Sequence, residues 1–217
     1  KAAESITRPT LETIMSSPDN MKEANNGMLC YFKPSSGLVI LREQMLGKER
    51  FDTAFRTYIE RWAYKHPQPD DFFRSMENVA GEDLSWFWRS WYLNNWRFDQ
   101  GINSIKYVKN DPSKGVVITV ENFDKMPMPV ILDVKTKSGK VTRVKLPVEI
   151  WQRNTVWSFK HNSTEEIESI TLDPDQIFPD NNEANKVWTS GNGKIEKDVI
   201  LDGYLGSYST SRAPLKI

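Results

Sequence analysis

The chain has 217 residues, 38% of them hydrophobic and 12% aromatic, which is enough for one large domain or two modest ones and too much for a disordered chain. Its 29 basic and 29 acidic residues cancel, giving no electrostatic basis for binding nucleic acid or an anionic membrane. No apolar run approaches the roughly 18–20 residues that span a bilayer, the single cysteine excludes an internal disulfide, and two histidines offer no metal-ligand spacing.

The opening Lys1-Ala2-Ala3-Glu4 carries no signal-like apolar stretch. Residues 37–46 predict a mostly buried helix that stops at Gly47. Phe51, Phe55, Tyr58 and Trp62 follow at steps of four, three and four and line one face of a second helix. His66-Pro67-Gln68-Pro69 breaks it. Asp70 and Asp71, suited to a helix amino terminus, open a third helix through Phe72, Phe73, Met76 and Val79, ended by Gly81. A short fourth helix holds Leu84, Trp86, Phe87, Trp88 and Trp91, too aromatic for an exposed face. Four helices with short connections imply a bundle or helical layer.

Near residue 105 the pattern changes to alternation. Val116, Ile118 and Val120 alternate, and Asn122 turns the chain. Val130, Leu132 and Val134 lead to Lys137-Ser138-Gly139-Lys140, with glycine where a hairpin turn needs it, and Thr142, Val144 and Leu146 return. Val156–Phe159 and Ile167–Leu172 fit further strands, and together these predict a small antiparallel sandwich. Residues 179–198 are polar and predict a linker. Leu201 to Tyr208 reads as the start of a further element.

Four stretches in order carry a family resemblance: Tyr31-Phe32-Lys33 with Leu38–Leu41 and Leu46-Gly47; Phe51 with Tyr58; Asp70-Asp71-Phe72; and Gly81-Glu82-Asp83-Leu84-Ser85-Trp86-Phe87 with Trp91. Over about residues 28–95 the chain resembles the end of the catalytic domain in the aminopeptidase N family of zinc metallopeptidases, peptidase family M1, of the gluzincin type. Met126-Pro127-Met128-Pro129-Val130 is similar to bacterial members. The resemblance implies an α+β fold. Residues 1–104 would be a helical carboxyl-terminal portion of a thermolysin-like catalytic domain, residues 105–178 an antiparallel immunoglobulin-like β-sandwich, and residues 179–217 a polar linker and the start of a truncated further domain.

Family members bind zinc through His-Glu-x-x-His and a downstream Glu, upstream of the Tyr-x-Lys element, and this sequence contains no His-Glu-x-x-His. The resemblance therefore implies a longer natural protein that removes amino-terminal residues from peptides with zinc-activated water. Its missing amino-terminal catalytic half would supply the zinc; none is expected in this chain, which alone is expected to be inactive. The partners implied are peptide substrate and that missing half. The bacterial likeness points to a periplasmic or extracellular location. Tyr31 matches the family's oxyanion hydrogen-bond donor, a role that suits a neutral phenol. Pro34 replaces the family's glycine there, and the span from Tyr31 to Gly47 is about one residue longer than the family pattern, which leaves the hydroxyl position open.

The other reactive residues have plain readings. His66 and His161 read as solvated loop histidines. Cys30, beside Leu29 and Tyr31, reads as a small buried apolar residue rather than a nucleophile. The Trp86–Trp91 cluster reads as core rather than a ligand platform. Asp70/Asp71 and Glu165/Glu166 read as helix-start and loop charges. Asn162-Ser163-Thr164 matches an N-glycosylation triplet by composition alone. The rival readings are a non-catalytic scaffold with a peptidase-like fold and a self-contained interaction module. Truncation predicts an exposed helical face where the metal-bearing half docks.

Overall fold

A computed structural model of the chain describes residues 6, 8, 10–180, 182–197 and the backbone of 200–201 and 204–205. The fold is α+β, with two compact units: residues 1–97 with 177–179, and residues 98–176 with 180–217.

In the first unit the chain is helical without a break from 26 to 46. Helix α1 (Lys33–Ile40) lies between two π-helical stretches, Met28–Phe32 and Leu41–Leu46. This differs from the expectation of a helix beginning at 37. Pro34 suggests such a start, because proline has no N–H to close a bond onto the turn before it and its ring crowds that turn. The backbone instead widens into π geometry immediately upstream and continues. The expected mostly buried helix is also amphipathic, with Val39 58% exposed and Leu41 fully buried. Gly47, at φ +80°, ends this run and starts α2 (Lys48–Trp62).

The four-three-four aromatic spacing on α2 faces α3 (Pro69–Ala80): the Phe72 ring lies edge-on to Phe55 at 6.3 Å and to Tyr58 at 4.9 Å. Helix α3 starts sharply because Pro69 opens it and Gln68 and Asp71 form a reciprocal capping box. It ends at Gly81 in the left-handed region, and the Arg50 guanidinium donates to the Ala80 carbonyl at 2.6 Å. Helix α4 (Ser85–Trp91) buries Phe87 and Trp91 completely and leaves Trp86 half-buried; Leu84, just before it, is also fully buried.

The second unit is a β-sandwich. One sheet has the order β5-β2-β1-β8 and the other β4-β3-β6-β7. The strands are β1 (Gln100–Tyr107), β2 (Val116–Asn122), β3 (Val130–Thr136), β4 (Val141–Leu146), β5 (Val156–His161), β6 (Ile167–Leu172), β7 (Val187–Thr189) and β8 (Ile195–Glu196). Residues of both sheets share one core: Ile105, Ile118 and Val120 from one, Leu132, Ile170 and Trp188 from the other. The alternation on β2 and β3 is therefore the inward face. Gly139, at φ +88°, makes the β3–β4 turn, with its N–H donating to the Thr136 carbonyl at 2.8 Å. Asn122 ends β2 and donates its amide to the Met126 carbonyl at 3.3 Å.

The expected antiparallel sandwich carries one parallel pair, β8 with β1 through Ile105↔Ile195. Two sequence expectations are corrected here. Strand structure begins at Gln100, before residue 105. Residues 179–198 are not simply a linker: they contribute β7 and β8, and Trp188 is 3% exposed. Ile200–Leu201 and Tyr204–Leu205 pair antiparallel with each other. The expected truncated domain otherwise falls on residues 206–217, outside the described residues.

Candidate functional site

The candidate site is built on the helical run that carries Tyr31. Two aromatic side chains from the end of α4 hold it. The Trp91 indole N–H donates to the Lys33 carbonyl at 2.8 Å, and the Tyr92 hydroxyl donates to the Pro34 carbonyl at 3.2 Å. Both acceptors lie at the junction of π and α geometry. Trp91 reaches the backbone because residue 37 is glycine. A Cβ there would stand 2.3 Å from the indole Nε1, inside van der Waals contact. Glu77 fixes α4 in turn, accepting from the Leu84 N–H at 3.2 Å and the Trp88 indole at 3.1 Å.

So held, the run presents Tyr31 (70% exposed) and Phe32 (62% exposed) to solvent, while the adjacent Lys33 is almost completely buried. Burial pulls the Lys33 ammonium down to about 8. It has no hydrogen-bond or ion-pair partner among the described residues. Burial also pushes the Tyr92 phenol up, out of its ordinary range. Tyr92 is thus held in its neutral form, as a hydrogen-bond donor to the helix. An exposed phenol on a helical run can donate to an oxygen acceptor, and the Tyr31 hydroxyl has no partner among the described residues.

The other sequence candidates do not join it. Cys30 is exposed, correcting the expectation of burial, and its thiol donates to Asn26 Oδ1 at 2.9 Å. His66 is exposed between α2 and α3. His161 is the last residue of β5 rather than a solvated loop residue, and burial together with Lys140 lowers its pKa. Asp71 caps α3 through the Gln68 N–H at 2.8 Å. Ser163 of the glycosylation-like triplet is buried and donates to the Glu165 carbonyl at 2.9 Å. Among the described residues, no three His, Cys, Asp or Glu side chains converge to hold a metal ion. No described helix is long and apolar enough to cross a membrane.

Sequence reasoning missed Trp91, Tyr92 and Gly37 as the residues that position Tyr31. The available signal was the glycine inside an apolar helical run, which marks a close approach by a bulky group.

Residues 3–91 match the peptidase family M1 domain, so the helical segment is similar to that family. A solved structure titled as Legionella pneumophila aminopeptidase A in complex with aspartic acid aligns with 71% of this chain at 16% identity and a TM-score of 0.49. The chain spans 17% of that structure's length. No curated protein matches.

Proposed function

We propose that the chain is the downstream part of a zinc aminopeptidase, with Tyr31 donating a hydrogen bond to the oxyanion formed during hydrolysis of an amino-terminal peptide bond. The observation that carries the reading is the peptidase family M1 match over residues 3–91, which contains the Tyr31 helix and Trp91, one of the two residues that hold it. The exposed phenol supports the reading: a donor must reach the developing charge, and Trp91 and Tyr92 fix the backbone from which it reaches. The group that anchors the substrate's free amine, the zinc and its ligands belong, on this proposal, to a part of the protein upstream of Tyr31.

The test is Tyr31→Phe in the longer polypeptide. Loss of one oxyanion donor removes about 2.7–4 kcal/mol of transition-state stabilisation, so kcat for a leucyl or alanyl amide is expected to fall about 10²–10³-fold with little change in KM. Folding is expected to be retained because the side chain is mostly exposed. An unchanged kcat would remove Tyr31 from the chemistry. Absence of hydrolysis by the unmutated longer protein would instead favour a non-catalytic scaffold.

A further inference from the structure

A cleft of about 380 Å³ lies between the end of α2 and the outer face of α3. Three cations line it: Arg61, Lys65 and Arg74. The acidic groups facing them are Glu60 and Asp71. The Asp71 carboxylate is engaged by the Gln68 N–H at 2.8 Å, and Lys65 donates to the Arg61 carbonyl at 2.7 Å. Among the described residues, the Arg61 and Arg74 guanidinium groups have no hydrogen-bond or ion-pair partner. The half-buried Trp62 supplies an aromatic wall, with the Lys65 ammonium 6.0 Å from its ring centroid.

An independent observation comes from the floor. Ser75 lines the cleft and, although only 6% of the residue is exposed, its hydroxyl is open to the cleft rather than engaged by another described residue. It opens on the same space as two unengaged guanidinium groups.

We propose that this cleft binds a monoanionic carboxylate that carries an apolar group. Guanidinium donors match a carboxylate in plane and in spacing, the Ser75 hydroxyl supplies one further donor, and the Trp62 ring covers the apolar group. Three cations against Glu60 and Asp71 leave one net positive charge, which suits a monoanion better than phosphate. A free organic acid and the carboxyl end of a polypeptide share this chemistry. The cleft is separate from the Tyr31 helix, so the proposal does not depend on peptidase activity.

The experiment is a titration of the 217-residue chain followed by the indole N–H resonances, with Trp62 assigned from Trp62→Phe. The probes are isovalerate, N-acetyl-leucine, N-acetyl-leucine amide and inorganic phosphate at constant ionic strength. Both carboxylates are expected to shift the Trp62 resonance saturably, and the amide and phosphate to bind at least ten-fold more weakly. Tighter binding of N-acetyl-leucine than isovalerate identifies a polypeptide carboxyl end, and the reverse a free acid. Arg74→Ala, at an exposed position, is expected to weaken binding at least ten-fold with the thermal midpoint unchanged. Ser75→Ala is expected to weaken it several-fold without loss of stability, because alanine favours helix. No saturable shift, equal response to the amide, equal affinity for phosphate, or binding unaffected by both variants would each overturn the proposal.

Discussion

Gly37 and Asp180 are the two residues whose identity has the clearest physical consequence. At Gly37 the Trp91 indole lies against the backbone, and an added Cβ would fall 2.3–2.8 Å from three of its ring atoms. The ring is fully buried and bonded to the Lys33 carbonyl, so it cannot swing away without losing that bond. Gly37→Ala is therefore expected to destabilise the helical unit by about 1–3 kcal/mol, the usual range for overpacking, read as a lower urea midpoint. Asp180 works through charge. Burial pushes its carboxyl up to about 6, with Asp99 adding to the rise and the N–H groups of Asn182 and Gln100 and the charge of Lys186 opposing it. The folded chain therefore binds this proton more tightly than the unfolded one. The stabilising contribution is complete below the ordinary aspartate value of 3.8 and is lost as pH rises through about 6. Asp180→Asn keeps an acceptor for the Asn182 N–H, at 2.8 Å from Oδ1 in the parent, and removes the charge. Relative to the parent, the variant is expected to gain about 2 kcal/mol between pH 4 and pH 7. A pH series of urea denaturations measures it, and a constant difference would refute the assignment to Asp180.

At the scale of elements, the polar stretch after Pro179 carries the largest departure from the sequence reading. Strands β7 and β8 are only three and two residues long, too short for alternation to announce them within a polar stretch; Trp188 anchors β7 in the core. Trp188→Ala is expected to cost about 3–5 kcal/mol, the range for emptying a large aromatic site. Val187→Ala, on the neighbouring residue that is 49% exposed, is expected to stay within about 0.5 kcal/mol. Comparing the two thermal midpoints separates loss of a core anchor from loss of strand propensity. Elements with strong local signals were legible. Helix α3 has its proline start, capping box and glycine stop, and β2 and β3 have period-two burial. The Tyr31 helix was half legible, because Pro34 mimics a boundary that π geometry bypasses. The candidate donor was legible only by resemblance. The contacts that hold it are 58 residues apart in sequence, and no local pattern reports them.

For the molecule as a whole, the helical segment carries the peptidase family M1 likeness and the described residues contain no converging set of metal ligands. Hydrolysis of a peptide bond by activated water requires a base and an electrophile held within about 3 Å of the reacting atoms as well as an oxyanion donor. On the proposed reading, the purified 217-residue chain is expected to carry near-zero zinc by elemental analysis and to leave a leucyl amide intact, whereas the longer polypeptide carries close to one zinc and cleaves it. Chelator-sensitive cleavage by the short chain would overturn this expectation, since its ligands would then have to come from the carboxylates, histidines and cysteine present in it. Zinc in the longer protein without cleavage would place the defect in the chemistry rather than in metal binding, and the Tyr31 hydroxyl would be the first group to re-examine.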